Sequence, residues 1–270
     1  MRISGDTVAI VTGAASGIGK AVASELAKRG CHLALVDLNR TALHETVLEL
    51  SPSNQHVTAH TADVSSESQM RDLAARVLQE HGQVHILVNN AGVSVASPFN
   101  HLDLRDFRWL MGVNFWGTVF ACKFFLPHLA AAESGAIVNI LSDFALVGFP
   151  TKTCYSASKF AIRGFSEALR AELHGSSVRL TCVYLGPVNT NLIQNSRAWD
   201  LTKKQLEADF LEKRGLSTER VARRVVNGIE KGNARLLIGK ETYLFDIMAR
   251  FFPVITNSLI GLMKAKVPFV

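Results

Sequence analysis

The sequence predicts a single α/β domain, a doubly wound parallel sheet with helices on both faces. Two observations carry this. Short apolar runs rich in β-branched residues alternate with helical stretches along most of the 270 residues, the pattern of repeated strand–helix–strand units. The first run, Val8-Ala9-Ile10-Val11, ends in Thr12-Gly13-Ala14-Ala15-Ser16-Gly17-Ile18-Gly19, a glycine-rich turn between a strand and a helix. The length suffices for one large domain with a well-buried core, no Pro/Gly/Ser-rich linker divides it, and 48% hydrophobic content excludes disorder.

The elements follow in order. Glycines at 13, 17 and 19 let the backbone turn tightly and approach a pyrophosphate, which the N–H groups of a helix N-terminus then hold. That helix is expected over Lys20 to Arg29. The next strand, His32 to Val36, ends at Asp37. An acid there accepts hydrogen bonds from adenosine ribose hydroxyls and repels a 2′-phosphate; capping the following helix is the plainer role. Arg40 lies close enough to weaken a preference for NAD over NADP without reversing it.

A helix from about Arg40 to Leu50, a strand near Val57 to Ala59 and a helix from about Ser66 to Glu80 come next. Asp63-Val64 stands between the last two, at a strand's carboxyl end where ligands of open α/β sheets bind. Val84 to Val88 is a buried strand ending in Asn89-Asn90-Ala91-Gly92, residues that suit a turn or a bound nucleotide equally well. Asp103 to about Ala132 reads as a long helical region. Within it Asn114 is surrounded by apolar residues, so its amide needs partners, either structural or in a polar relay.

Gly135 to Leu141 is the fifth strand and ends at Ser142. The loop 143–151 carries Phe144, Leu146, Val147 and Phe149, and leads into a helix that contains Tyr155 and runs to about Leu173. Val178 to Leu185 is the sixth strand, followed by Gly186-Pro187-Val188-Asn189-Thr190. Residues 191–215 are polar and helical in composition, an interruption of the kind that often covers a site. A helix from about Ser217 to Lys231 and a strand near Arg235 to Ile238 close the sheet. Residues 1–240 therefore form the domain, with 190–215 as a substrate lid and 241–270 as an extension.

The extension has its own pattern. Apolar residues recur from Leu244 to Leu262, opposed by a stripe of Asp246, Arg250, Asn257 and Lys264. Its charges and Pro253 exclude a comfortable membrane span. What remains is an amphipathic helix with a wide apolar face, packing on its own domain or a partner subunit, or lying on a membrane surface near Lys264 and Lys266. Packing is the favoured reading, because most apolar stripes belong to a core.

A net charge of +6 spread over scattered basic residues describes a solvated surface, so no nucleic-acid partner is expected. The four cysteines, Cys31, Cys122, Cys154 and Cys182, are far apart and include no C-x-x-C pair. They suit reduced thiols in a cytoplasmic protein, without a metal site. No signal-peptide pattern precedes the first strand.

One further segment, Tyr155-Ser156-Ala157-Ser158-Lys159, places a phenol and an ammonium four residues apart on one helical face. A lysine so placed favours the phenolate and lowers its pKa, giving a proton-transfer group usable near neutral pH. Alone, the pair reads better as an accident of a surface helix. The glycine turn, the serine and the asparagine elsewhere in the chain overturn that.

Taken together, T-G-A-A-S-G-I-G at 12–19, Asp63, N-N-A-G at 89–92, Asn114, Ser142 and Y-S-A-S-K at 155–159 resemble the short-chain dehydrogenase/reductase family over nearly the whole chain. The resemblance implies a Rossmann-type fold and reversible hydride transfer between NAD(H) and a secondary alcohol or ketone. It implies Tyr155 as acid/base, Ser142 as hydrogen-bonding partner of the substrate oxygen, Lys159 beside the phenol and the nicotinamide ribose, and Asn114 holding a water next to Lys159. Gly13, Ser16, Ile18 and Gly19 would surround the pyrophosphate and adenosine, Asp37 the ribose, Asp63 and Val64 the adenine, and Asn90 the neighbouring ribose. Val188 and Thr190 would face the nicotinamide.

Two positions depart from the family's pattern. Leu185-Gly186 stands where Pro-Gly is usual, and Asp143 follows the serine where a small residue is usual. The apolar 143–151 loop points to a lipophilic substrate. An NADP-linked carbonyl reductase and a non-catalytic dinucleotide-sensing protein are the alternatives, and relatives suggest a homodimer or homotetramer.

Overall fold

The computed structural model describes residues 1–51 and 56–263, without the side chain of Met263. In chain order the elements are β1 (Val8–Thr12), α1 (Gly17–Ala27), β2 (His32–Asp37), α2 (Arg40–Leu50), β3 (Val57–Thr61), α3 (Glu67–His81), β4 (Ile86–Asn89) and β5 (Val95–Ala96). Then come α4 (Leu104–Met111), a π turn (Gly112–Trp116), α5 (Gly117–Ala131), β6 (Gly135–Ile140), α6 (Thr153–Glu172) and β7 (Val178–Leu185). The chain continues with β8 (Arg197–Ala198), α7 (Leu201–Arg214), α8 (Thr218–Lys231), β9 (Arg235–Ile238), α9 (Lys240–Phe251) and α10 (Pro253–Met263).

Seven strands form one sheet in the order β3-β2-β1-β4-β6-β7-β9, and every pairing in it is parallel. From β1 the chain first builds outward through β2 and β3, then returns to place β4 on the other side of β1. That reversal opens a crevice between the carboxyl ends of β1 and β4, where ligands bind in such sheets.

Alternation along each strand divides the core between the two faces. Ala9, Val11, Leu33, Leu35, Ile86 and Val88 face α1 and α8, meeting Val22, Leu26, Val225 and Ile229. Ile10, Ala34, Val36 and Leu87 face the other side, with Met70, Leu73, Phe125, Leu129 and Ile162. Burial on both faces explains why these strands read as continuous apolar runs. A short polar chain crosses the second layer: Asn89 Nδ2 donates to Asn139 Oδ1 at 2.8 Å, and Asn139 Nδ2 donates to Ser166 Oγ at 2.8 Å. It fixes β4, β6 and α6 relative to one another.

The 104–131 region is long and apolar enough to cross a membrane, yet it is a core element. Leu110, Asn114, Ala121, Phe125 and Leu129 are buried along it. The extension differs from the sequence expectation. Instead of one amphipathic helix, α9 and α10 meet at Phe252, because Pro253 lacks the N–H that would continue α9. The apolar stripe also faces outward: Ile247 is 55% exposed and Val254 76%, whereas Thr242, Asp246 and Thr256 are buried. Asp246 accepts from Arg235 at 2.7 Å and from Arg250 at 3.1 Å. Lys264 and Lys266 lie outside the described residues.

Candidate functional site

The crevice between β1 and β4 is built by Thr12. Its Oγ1 accepts the backbone N–H of Asn90 at 3.0 Å and of Ala91 at 3.1 Å, tying the two strand ends together. Asn90 Nδ2 donates to the carbonyls of Thr12 (3.0 Å) and Gly13 (3.2 Å), so its amide props the glycine turn from beneath. Gly13 adopts φ +66°, and a Cβ on it would lie 2.9 Å from Ala91 Cα. A Cβ on Gly19 would stand 2.1 Å from the Gly13 carbonyl oxygen. Both glycines are thus required by close backbone approach.

Behind this turn, α1 starts at Gly17 with no side-chain cap from the exposed Ser16. Its first N–H groups are therefore available to an anion. Ile18 packs against the core just inside the helix. Asp37, at the carboxyl end of β2, accepts from the Ala15 N–H at 3.0 Å through one oxygen and from the Asn39 N–H at 2.9 Å through the other. It holds the glycine turn against β2, and Asn39, not Asp37, caps α2. Asp63 accepts from the Ser65 hydroxyl at 2.7 Å, and the buried Val64 packs against Gly117. Thr190 closes the cradle from above, its methyl 3.5 Å from the position a Cβ on Gly17 would take. Val188 is buried one step earlier, where it bridges to Leu216. A strand end, bare helix N-terminus and side-chain-free turn fit a dinucleotide.

The second group of residues gathers beside it, at the ends of β4 and β6. Asn114 sits in the π turn, fully buried. Its Oδ1 accepts the Val93 N–H at 2.8 Å, and its Nδ2 donates to the Val93 carbonyl (3.0 Å) and Ser158 Oγ (3.1 Å). The amide is spent on joining the π turn to Val93, ahead of β5, and to α6. Lys159 Nζ donates to the Ile140 carbonyl at 3.0 Å and lies 5.6 Å from the centre of the Tyr155 ring. Gly92 marks the meeting point: a Cβ there would be 3.4 Å from Asn114 Oδ1 and 3.8 Å from Lys159 Nζ.

Burial governs the electrostatics. It brings the Lys159 ammonium down to about 8 and pushes the Tyr155 phenol up, with the nearby Asp143 carboxylate adding to the rise. The expected lowering of the phenol by Lys159 is therefore not what this site displays; desolvation outweighs it. Only the Ser142 hydroxyl, by hydrogen bonding, pulls the phenol down. Ser142 Oγ itself donates to Asp143 Oδ1 at 2.8 Å. Asp143 is buried, and desolvation moves its carboxyl up to about 6, with Glu241 reinforcing the shift.

Two features were invisible in the sequence and a third showed only in part. Asp143 stands out there as a departure from a small residue, but not as the acceptor of the Ser142 proton. Lys152 and Glu207 form a buried ion pair at 2.7 Å that ties α7 to the start of α6. Arg197 lies 3.7 Å over the Trp109 ring while β8 pairs with β5, tying the 190–215 segment to β5 and α4. Pairing between distant residues leaves no periodic trace in a sequence.

The profile of the short chain dehydrogenase family matches residues 7–201. The SadH protein of Mycobacterium tuberculosis is 36% identical over 263 residues, covering 96% of this chain and 95% of its own length. A short chain dehydrogenase/reductase from Burkholderia phymatum, solved with NAD, superposes with a TM-score of 0.89 at 26% identity, covering 95% of this chain and 97% of that one. An alcohol dehydrogenase from Thermococcus sibiricus, solved with 5-hydroxy-NADP, gives a TM-score of 0.74 at 26% identity, covering 86% and 94%. Fold and site define an oxidoreductase class that uses a nicotinamide dinucleotide. The chain belongs to the short-chain dehydrogenase/reductase family.

Proposed function

We propose that this protein transfers hydride reversibly between NAD(H) and a lipophilic secondary alcohol or ketone. The observation that carries the reading is the convergence of Ser142, Tyr155, Lys159 and Asn114 at the strand ends beside the glycine cradle. When bound, the dinucleotide supplies the hydride acceptor or donor. The chain's own residues hold the substrate and move the proton. Tyr155 takes the hydroxyl proton of an alcohol, or returns it to a carbonyl oxygen. Ser142 positions that oxygen, while Lys159 holds the ribose and loads charge beside the phenol. Asn114 keeps the π turn and α6 in register and lies in the path from Lys159 to water.

Gly13, Ser16, Ile18 and Gly19 hold the pyrophosphate and adenosine side in this reading. Asp37 holds the ribose hydroxyls, Asp63 and Val64 the adenine, Asn90 the neighbouring ribose through its turn, and Val188 and Thr190 the nicotinamide. A lipophilic substrate is supported by the apolar surroundings of Tyr155, which include Val95, Leu110, Phe144 and Leu192. Phe144 meets the Tyr155 ring edge-on at 6.0 Å and stacks on Phe149 at 5.2 Å. Leu146 and Val147 are buried in the core, so only the aromatic part of that loop is left to touch a substrate.

The single domain spans 1–240 with 190–215 as its lid. Homodimers or homotetramers form through α5 and α6, where Trp116 and Phe120 stack at 5.6 Å and Phe160 is exposed. Four buried free cysteines support a reducing, cytoplasmic setting. An NADP-linked carbonyl reductase is the second reading, supported by Arg40 exposed at the first position of α2.

Tyr155→Phe tests the chemistry. Turnover should fall by roughly three orders of magnitude or more while NADH binding stays near wild type; near-normal kcat removes Tyr155 from the role. Fluorescence titration with NADH and NADPH tests the cofactor, with tighter NADH binding expected from Asp37.

A further inference from the structure

We propose that the outward face of α9 and α10 docks on the surface of an anionic lipid bilayer. The face is inverted relative to a core helix. Leu244, Ile247, Phe251, Val254, Ile255 and Leu262 are each more than half exposed within a stretch of 19 residues. Of the polar stripe, Asp246 points inward, where it is held by Arg235 and Arg250. Thr242 Oγ1 donates to the Ile238 carbonyl at 3.2 Å. Thr256 Oγ1 donates to the Phe252 carbonyl at 2.7 Å. The inner side of the hairpin packs on its own domain through Phe245, Ala249 and Ile260 and through the Asp246–Arg235 pair, and among the described residues the outer apolar face has no partner.

Length and charge choose the occupant. With 12 and 11 residues, the helices rise about 18 and 16 Å, well short of the ~30 Å hydrocarbon core. Each can lie in the interface plane but neither can span it. Between Tyr243 and Leu262 the one acid, Asp246, is buried in its ion pairs, whereas Arg250 is half exposed. Lys240 is exposed at one end of the hairpin, and the sequence continues into Lys264 and Lys266 at the other. The neighbouring Glu241 turns away from the face, toward Gly186. An apolar face with exposed cations beside it and further lysines following in the sequence is the composition of an interfacial anchor, and each cation beside an anionic surface strengthens binding about fivefold. A second copy of the chain seated symmetrically on this face would set the same cations against themselves.

The position also has a consequence for the site. Leu146, Val147 and Gly148, in the loop after Ser142, share a groove of about 510 Å³ with Ala249, Pro253 and Asn257 of the hairpin. The docked face and the candidate substrate loop therefore share a wall.

The test is co-sedimentation of the full chain with vesicles of phosphatidylcholine alone and of phosphatidylcholine with phosphatidylglycerol. Binding should be at least tenfold stronger to the anionic vesicles. Ile247→Glu/Val254→Glu should lose at least tenfold with its circular dichroism and Tm retained, and Lys264→Glu/Lys266→Glu should erase the preference for anionic lipid. Wild-type protein that stays in the supernatant overturns the proposal, as does equal binding by wild type and the Ile247/Val254 variant. A variant that changes the subunit count by light scattering, with no vesicle binding by either protein, assigns the face to a second copy instead. Sedimentation is read without turnover, so this result is separate from that of the hydride-transfer test.

Discussion

The hydroxyl of Ser142 donates to the carboxylate of its own chain neighbour, Asp143, at 2.8 Å, and that carboxylate is buried. A serine so engaged must turn its hydroxyl away from Asp143 to donate to a substrate carbonyl oxygen. The Asp143 carboxyl sits at about 6 in the folded protein, raised by burial. A raised carboxyl stabilises the fold below its unfolded pKa, and the gain is lost as pH rises through the folded value. Asp143→Asn keeps an acceptor for Ser142 and removes the charge. It should be more stable than wild type at pH 8, by up to about 3 kcal/mol, and should lack the loss between pH 4 and 6. Urea unfolding of both proteins at pH 4, 6 and 8 measures this. With a ketone substrate, the pH profile of kcat should lose a limb near 6.

Gly19→Ala tests the cradle. The added methyl would stand 2.1 Å from the Gly13 carbonyl oxygen, so the turn or α1 must move. Stability should fall by roughly 2 kcal/mol, and NADH affinity in a fluorescence titration should weaken at least tenfold. Unchanged affinity would place the dinucleotide elsewhere.

The Lys152–Glu207 pair makes a sharper prediction about the 190–215 segment. Glu207→Ala leaves a buried ammonium unpaired, a loss of roughly 3–5 kcal/mol. The damage should appear first as faster limited proteolysis between 190 and 215, then as a lower Tm. The double variant Lys152→Met/Glu207→Leu should recover most of the resistance. If Glu207→Ala is cleaved no faster, the pair does not hold the segment closed.

A cluster at the β3 edge predicts acid sensitivity. Thr58 Oγ1 lies 2.8 Å from both His60 Nε2 and His81 Nε2, and the His56 ring lies 4.5 Å from that of His81, tilted by 34°. Burial, then repulsion from His56, His60 and His32, holds His81 down to about 4; burial also lowers His60, against which Glu80, 3.9 Å away, acts. A depressed histidine stabilises the fold above its unfolded value near 6.5, and that contribution is lost as pH falls toward 4. His81→Gln should therefore flatten the fall in urea midpoint between pH 7 and 5. The trend is opposite in sign to that of Asp143, so the two variants separate the contributions.

Much of the fold was legible because it depends on local signals. β7, β9 and α2 have the boundaries that their composition suggests, and the glycine turn, Ser142, Tyr155 and Lys159 are held close to one another. What escaped is non-local or directional. A stripe of apolar residues reveals that α9 and α10 have a face, but not that Asp246 and Thr256 would turn inward and leave Ile247 and Val254 outside. The two-residue strands β5 and β8 are too short to show any period. Asp143 and Glu207 look like ordinary loop and helix acids until the chain folds and removes them from water.

The π turn at Gly112–Trp116 bears on how this chain tolerates change in length. α4 and α5 form one rod, and the wide turn between them holds one residue more than an α-helical turn. Ahead of it, Leu110 points into the cluster around Tyr155; beyond it, Phe125 and Leu129 point into the main core. Deleting a single residue between 112 and 116 would not shorten a loop. It would draw the wide turn into an ordinary helical one and leave both halves in phase, so the rod should survive. What should go is the seat of Asn114, and with it the bonds to Val93 and Ser158.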